Sequence, residues 1–281
     1  MNLEVVGPSP TPPDKRRIMK AYINGKHTKK GIPYYSLMEM SAASGLPIYK
    51  GERDADIVFN WGGGGFPTTN RSVVVNKHPI FDKYNQSMAM YKAGVITPKP
   101  YSRLSEVRSF PVVRKPNNSY GGHGIRIIKS GIFGEKDNVW YQDFVDKRRE
   151  YRVYFFNGEV KMVEEKIVKD PSVVTWNYFN CERWERRREL ESNRTLINTV
   201  LAAAAAIRID WGAADIMEDS KGKLWVCEVN SRPSCWGGKT PKHKMTISKN
   251  VYKIADGERS DLDLSARMWS NCMHRFIENN G

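Results

Sequence analysis

Residues 211–230 read WGAADIMEDSKGKLWVCEVN, and this stretch decides the fold class that the sequence predicts. Two apolar runs, 212–217 and 224–230, flank the polar turn DSKG at 219–222, a pattern typical of an antiparallel β-hairpin. Small and branched apolar residues crowd both runs, as in strands that are buried within a larger sheet. We therefore expect a hairpin inside a sheet, with its polar side chains gathered on one face.

Three oxygen-bearing side chains of this hairpin are expected on that face. A turn centred on Lys221 and Gly222 places Asp215 opposite Glu228, and Asn230 follows Glu228 by two residues on the same face. Carboxylates directly opposite each other repel, which favours a cation between them, and an all-oxygen ligand set suits Mg²⁺. The sequence thus predicts a magnesium site. The alternative is the solvated face of an ordinary hairpin.

A lysine and a glycine-rich loop form a second candidate site. The run FPVVRK at 110–115 predicts a strand that ends at Lys115, and the polar loop PNNSYGGHG follows at 116–124. Lysine can neutralise phosphate oxygens, while the backbone N–H groups of glycines approach them closely. The loop is therefore a candidate lid over phosphates. An ordinary hairpin tip is the alternative, and no P-loop motif occurs.

The rest of the chain alternates predicted strands and helices. Residues 146–149, DKRR, predict an exposed break. Residues 181–188, CERWERRR, predict a solvated helix face, with a docking patch for an acidic substrate as the alternative. Strands are expected at 55–60, 73–75, 139–145 and on both sides of the turn Asn157-Gly158, and helices at 82–93, 193–207 and 261–279.

Composition narrows the class of partner. The 281-residue chain has a net charge of +14 and a pI near 9.6, which favours polyanions such as nucleotides, nucleic acid or acidic peptides. Its basic residues are spread along the chain, so a nucleic-acid-binding protein is an alternative that this distribution disfavours. The four cysteines lack C-x-x-C spacing, no apolar run reaches about 18 residues, and no secretory signal is recognisable. We therefore expect a cytoplasmic protein without a membrane partner.

The order of several motifs resembles the ATP-grasp enzymes. Residues 110–125, FPVVRKPNNSYGGHGI, are similar to that family's phosphate-closing strand and loop, and GVITP at 94–98 is similar to its lead-in. YQDFV at 141–145 resembles the hinge that meets adenine, and CEVNSRP at 227–233 resembles the metal-binding strand. The resemblance spans about residues 76–238 and is closest to the branch that adds glutamates to a ribosomal protein tail.

The resemblance implies a fold and a division into domains. The fold class is α/β (α+β), with the ATP-grasp fold: two α+β subdomains clamp ATP and follow a small Rossmann-like N-terminal lobe. The implied boundaries are 1–100 for the lobe, 101–145 for the central subdomain with its lid, and 146–281 for the C-terminal subdomain with the metal-binding hairpin.

The resemblance also implies roles for individual residues. Arg152 and Arg232 would lie near the transferring phosphoryl group or the acyl phosphate, and Asn177 would be a polar active-site residue. The implied magnesium ligands are Asp215, Glu228 and Asn230. ATP would be bound by two lysines, the lid, the adenine hinge and an acidic residue near the ribose: Lys83, Lys115, Ser119, Tyr120, Gly121, Gly122, Gln142, Asp143, Phe144, Val145 and Glu150. One arginine of the related branch has no clear counterpart here, and Lys166 is the nearest candidate.

The implied reaction joins a carboxylate to an amine. ATP would phosphorylate the carboxylate, the amine would attack the acyl phosphate, and ADP and phosphate would leave. The expected cofactors are ATP and Mg²⁺, and the expected substrates are a carboxylate and an amine, with an acidic peptide or protein tail as one candidate. Two alternatives share the fold: a phosphotransferase that stops at a phosphorylated product, and a degenerate domain that only binds nucleotide.

Overall fold

A computed structural model of the chain describes ten segments, which carry the main elements of the fold. The described residues are 19–25, 32–51, 54–62, 72–117, 122–131, 138–177, 180–233, 245–248, 251–254 and 264–280. None of the helices in these segments combines the length and apolarity that crossing a lipid bilayer requires.

The N-terminal part of the chain forms a parallel sheet of three strands. β1 (Ala21–Gly25), β2 (Ile57–Trp61) and β3 (Val73–Val75) lie side by side in that order, and helix α1 (Ile32–Ser44) follows β1. The middle strand is buried along its whole length, as expected for a parallel sheet covered on both faces. The predicted strands at 55–60 and 73–75 are therefore confirmed, with β2 shifted toward Trp61.

A short helix leads from this lobe into a second sheet. α2 (Lys83–Lys92) is capped by Asp82, whose side chain accepts a hydrogen bond from Asn85 N at 2.8 Å. The second sheet is antiparallel, and its four strands have the order β4-β7-β5-β6. These strands are β4 (Pro100–Tyr101), β5 (Val112–Pro116), β6 (Arg126–Ile128) and β7 (Val139–Asp143).

The third sheet has five strands and contains the hairpin predicted at residues 211–230. Its strand order is β10-β9-β8-β11-β12, so each pair is antiparallel and β10 and β12 are the edges. The turn between β8 and β9 has left-handed backbone at Asn157 (φ 48°) and Gly158 (φ 79°), as the Asn-Gly pair predicts. The strands are β8 (Lys147–Phe156), β9 (Glu159–Val168), β10 (Cys181–Arg186), β11 (Trp211–Asp219) and β12 (Leu224–Asn230).

Two sequence predictions about this sheet are wrong. The break predicted at 146–149 is wrong from Lys147 onward, because β8 begins there and pairs with the acidic end of β11, with Arg149 opposite Glu218; Arg148 and Arg149 are nevertheless exposed. Residues 181–186 are not a helix face but the edge strand β10, which pairs with β9. In both places charged side chains occupy strand positions, and carboxylates of the same strand, of a neighbouring strand or of the following turn offset their charge.

The five-stranded sheet is covered on both faces. Helix α3 (Arg194–Ala206), capped by Asn193, packs an alanine-rich face against the sheet and buries Leu196, Val200 and Ala203 there. Trp211 lies on the opposite face, in an aromatic cluster with Phe59 of the N-terminal lobe. Helix α4 (Leu264–Asn280) adds Trp269 to this cluster, 5.5 Å from Trp211 between ring centroids. A separate pair, β13 (Met245–Ser248) and β14 (Val251–Ile254), completes the strands.

A buried asparagine joins the N-terminal lobe to the five-stranded sheet. Asn76 follows β3 with φ 59°, and its Oδ1 accepts hydrogen bonds from the backbone N–H groups of Asp210 (2.7 Å) and Trp211 (2.9 Å). Its Nδ2 donates to Trp211 O at 2.7 Å. Asparagine tolerates this left-handed conformation better than most residues, so the junction has a specific side-chain requirement.

Candidate functional site

The predicted register of the hairpin is confirmed where its charged residues lie. Asp215 is opposite Glu228, and Ala213 is opposite Asn230. Closer to the turn the pairing shifts by one residue, because Ile216 pairs with Val226 and Cys227 is left as the extra residue of a β-bulge. The bulge lies between the turn and the carboxylates, and the pairing from Glu228 to Asn230 keeps the predicted register.

Charged side chains form a row across four strands. Glu164 of β9 is opposite Arg152 of β8, Arg152 is opposite Asp215 of β11, and Asp215 is opposite Glu228 of β12. Residues directly opposite each other project to the same side of a sheet. We call this side the site face; the N-terminal lobe covers one end of it through Trp211 and Tyr154.

Asp215 is the most tightly held carboxylate on the site face. Arg152 donates to it in a bidentate manner, from Nε at 2.9 Å and from Nη2 at 3.0 Å, and Lys166 Nζ lies 3.2 Å from Oδ1. Burial alone would raise the pKa of Asp215, but these two cations outweigh it and hold that pKa well below its usual range. Burial likewise opposes the charged forms of Arg152 and Lys166, and Asp215 nevertheless raises the pKa of both.

Glu150 lies beside this cluster and is held by two lysines. Lys147 donates to one of its carboxylate oxygens and Lys166 to the other; Glu150 and Lys166 are buried, and Lys147 is partly buried. Lys166 therefore links Glu150 to Asp215. The predicted role of Glu150 near the ribose stays a prediction.

Two further lysines reach the hairpin from other elements. Lys83, at the start of α2, donates to Asn230 Oδ1 at 2.7 Å and lies 3.7 Å from Glu228 Oε2. Lys115, at the end of β5, places its Nζ 3.9 Å from Cys227 Sγ. The charge of Lys83, opposed by burial, lowers the pKa of Glu228, with smaller help from a hydrogen bond from Asn230 and from Lys115. The structure thus brings both predicted phosphate-binding lysines to the hairpin that carries the predicted metal ligands.

The predicted adenine hinge is the end of β7 and the segment after it. Asp143 N donates to Lys99 O at 3.1 Å and Phe144 N donates to Pro111 O at 3.2 Å, so these two N–H groups are already used within the protein. Gln142 is buried on the same face of the second sheet as Lys115, and its Oε1 has no hydrogen-bond partner among the described residues. Val145 follows the strand. Adenine binding at 142–145 stays a prediction.

The described end of the lid meets the segment that carries Asn177. Gly122 has φ +77°, and a Cβ atom there would lie 2.9 Å from Thr175 Cγ2 and 3.2 Å from Asn177 Nδ2. Only glycine fits this approach without displacing the neighbouring segment. Three predicted lid residues, Ser119, Tyr120 and Gly121, lie outside the described residues.

Arg232 lies just beyond β12 and contacts the N-terminal lobe. Its Nη2 donates to Gly62 O, and its guanidinium lies 5.9 Å from the Trp61 ring centroid. Arg232 therefore joins the carboxyl end of β2 to the end of β12, the strand that carries the predicted magnesium ligands Glu228 and Asn230. Its predicted role near the phosphoryl group stays a prediction.

Sequence reasoning missed two residues of the cluster. Lys147 was assigned to an exposed break, yet it binds Glu150 and lies 4.7 Å from the Trp176 ring centroid. Trp184 was assigned to a helix face, yet its ring lies beside Arg152 and Lys166. The only sequence signal for Lys147 is the acidic residue three positions later, a spacing that is common in solvated segments.

Comparison with solved structures identifies the fold of this chain. No family model matches the chain, and no curated protein matches its sequence. The structure is similar to ATP-grasp ligase PsnB in complex with a phosphomimetic variant of a minimal precursor, Mg and ADP, with a TM-score of 0.57, 14% identity, and 92% of this chain and 99% of that chain covered. It is also similar to D-alanine–D-alanine ligase from Bacillus anthracis in complex with ATP, with a TM-score of 0.54, 15% identity, and 94% and 100% of the two chains covered. Similarity over nearly the whole length of both proteins shows that this chain has the ATP-grasp fold.

Proposed function

We propose that this chain is an ATP- and Mg²⁺-dependent carboxylate–amine ligase that acts through an acyl phosphate. One observation carries the proposal: three cations from separate elements reach the hairpin, with Lys83 near Glu228, Arg152 on Asp215, and Lys115 beside Cys227, the neighbour of Glu228. Solved proteins with this fold support it, because PsnB is an ATP-grasp ligase complexed with Mg and ADP, and the Bacillus anthracis ligase is complexed with ATP.

The residues of the hairpin fit magnesium by their chemistry. Asp215, Glu228 and Asn230 offer only oxygen donors on adjacent rungs of one sheet face, which is the ligand type that Mg²⁺ prefers. The cations Lys83, Arg152 and Lys166 now bind these oxygens, which shows that the cluster attracts positive charge. When bound, magnesium would supply charge neutralisation to the phosphates of ATP.

The chain's own cations can assist each stage of the reaction. Lys83 and Lys115 bind phosphate oxygens of ATP and orient the chain of phosphates along the hairpin. The γ-phosphoryl group moves to a carboxylate oxygen of the substrate, the bond to the β-phosphate oxygen breaks, and ADP leaves. Arg152 lies in the charged row beside Asp215, where it can stabilise the transferring group.

The second stage forms the amide bond. The substrate amine attacks the carbonyl carbon of the acyl phosphate, a C–N bond forms, phosphate leaves and the amine loses a proton. Water must be excluded, since it would hydrolyse the acyl phosphate. Gly122, packed against Thr175 and near Asn177, allows the lid to approach the site for this purpose.

The proposed substrates are a carboxylate and an amine, with an acidic peptide or protein tail as the candidate that the positive charge of the chain favours. PsnB is complexed with precursor peptide in a related solved structure, which supports a peptide substrate. Three of the four arginines of 181–188 are poor candidates for holding it. Arg183 is paired with Glu185, Arg186 with Glu191 and Arg187 with Glu165, so their charge is offset within the fold.

The decisive experiment is magnesium-dependent ADP release from ATP, screened against amino acids, acidic peptides and polyamines, with mass spectrometry of the products. Release that requires both a carboxylate and an amine, together with a product that has lost one water, supports the ligase. ADP release that requires no amine and leaves a phosphorylated product supports the phosphotransferase alternative. Absence of ATP binding to the folded protein would overturn the proposal.

A further inference from the structure

The segment CERWERRR, which matches no motif of the resemblance, places one aromatic ring at the candidate site. In β10, Trp184 is directly opposite Lys166 of β9, on the site face. Its ring centroid lies 5.4 Å from Lys166 Nζ and 5.1 Å from Arg152 Cζ. One indole thus faces both of the cations that bind Asp215.

Trp184 differs from the charged residues next to it in β10 in the direction of its side chain. Arg183 and Arg186 on the same strand are exposed and paired with glutamates of their own segment or of the following turn. Trp184 is half-buried and points instead toward a lysine that is itself almost fully buried. The basic stretch therefore contributes a single aromatic side chain to the site, and its charges remain outside.

We infer that Trp184 is a positioning residue, whose indole holds Arg152 and Lys166 toward Asp215 and toward the phosphoryl group that the site transfers. The inference rests on the proposed function. A cation within about 6 Å of a tryptophan centroid is attracted by the negative face of the ring, and the attraction strengthens as the cation loses water. The ring also shields the two cations at an open edge of the sheet, where water would otherwise weaken their effect on a phosphate.

Two substitutions separate this role from simple packing. Trp184→Phe keeps an aromatic face near the cations, whereas Trp184→Leu keeps only apolar contact. If Trp184 acts as filler, leucine and phenylalanine should have similar effects. If it positions the cations, only phenylalanine should preserve the discrimination between nucleotides with and without a γ-phosphate.

The test is calorimetric binding of AMPPNP and of ADP, each with Mg²⁺, to the full-length protein. We expect Trp184→Leu to lower the ratio of AMPPNP affinity to ADP affinity by about fivefold, the size of one partly desolvated cation–π contact, and Trp184→Phe to stay within about twofold. Arg183→Ala, on the same strand but paired outside the site, is the matched control and should leave the ratio unchanged. Thermal unfolding of each variant checks that the fold is kept, and Trp184→Met replaces the leucine variant if that one does not fold.

The outcomes are distinct. An unchanged ratio in the folded leucine or methionine variant overturns the inference, and so does an equal loss in the phenylalanine variant, but both leave the proposed function standing. Failure of the wild-type protein to bind either nucleotide overturns the proposed function and this inference together. A loss confined to the non-aromatic variants supports the positioning role.

Discussion

Replacing Asp215 by asparagine removes the anion to which Arg152 and Lys166 are bound. The resulting decrease in the free energy of unfolding can be estimated from the burial of these side chains. Asp215 and Lys166 have side chains that are 6% and 3% exposed, and Arg152 is 16% exposed. Removing one partner of a buried ion pair typically costs about 3–5 kcal/mol, because the remaining charge is left without compensation. Asparagine keeps the shape and one acceptor oxygen, and Lys166 keeps Glu150. We therefore expect a loss at the lower end of that range, about 3 kcal/mol in the free energy of unfolding.

The assay is urea denaturation of Asp215→Asn and wild type, followed by circular dichroism near neutral pH. Glu159→Gln is the control, because it breaks an ion pair with Lys161 in the same sheet at a carboxylate that is 71% exposed, and such pairs contribute about 0–1 kcal/mol. The pKa of Asp215 is depressed in the folded protein, so its contribution is complete above the unfolded pKa of about 3.9 and is lost as the pH falls toward the folded value. The difference in the free energy of unfolding between Asp215→Asn and wild type should thus be constant from about pH 5 to 8 and shrink below about pH 4. A loss at neutral pH no larger than that of Glu159→Gln would refute the reasoning.

Three other substitutions test separate parts of the structure. Glu228→Gln should abolish magnesium-dependent ADP release but change the free energy of unfolding by less than about 1 kcal/mol, because this half-exposed carboxylate is attracted by Lys83 at 3.7 Å and repelled by Asp215 opposite it, so the two effects partly cancel; near wild-type release would contradict its proposed metal role. Asn76→Ala should lower the free energy of unfolding by about 2–4 kcal/mol in urea denaturation, since it removes the partners of two buried backbone groups of Trp211 and of the partly buried N–H of Asp210; a change below about 1 kcal/mol would show that water replaces the amide. Gly122→Ala should weaken ATP binding by roughly fivefold in calorimetry, because a Cβ atom there strains a left-handed residue and clashes with Thr175. Unchanged binding would show that the contact between Gly122 and Thr175 is not needed for the lid to close over ATP.

Local signals in the sequence were sufficient for the elements whose structure depends on near neighbours. The Asn-Gly pair at 157–158 predicted the turn between β8 and β9, and the predicted helices at 82–93 and 193–207 match α2 and α3 to within one residue at each end. The turn position also predicted that Asp215 faces Glu228, and this pairing is present, although the bulge at Cys227 shifts the register by one residue between the carboxylates and the turn. The order of motifs along the chain indicated the ATP-grasp fold, which the comparison of structures shows.

The sequence failed where charged residues belong to strands. Residues 147–149 and 181–186 carry so many arginines, lysines and glutamates that their composition resembles that of a solvated loop or helix. Strand β8 nevertheless extends through 147–149, because Arg149 lies opposite Glu218. Charge compensation of this kind depends on which strand lies alongside, and composition alone does not contain that information.

The sequence alone predicted the Asn-Gly turn, the extents of α2 and α3 and the pairing of Asp215 with Glu228, whereas its assignment of residues to phosphate and metal stays a prediction. Only the tertiary structure decided which of those residues bind one another. Arg152 reaches Asp215, Lys166 joins Glu150 to Asp215, and Trp184 faces both cations, through contacts that cross strands β10, β9, β8 and β11. The strand order of the sheet brings these residues together, and that order is selected by burial of the sheet's apolar faces. The separation of residues along the chain does not reveal the strand order.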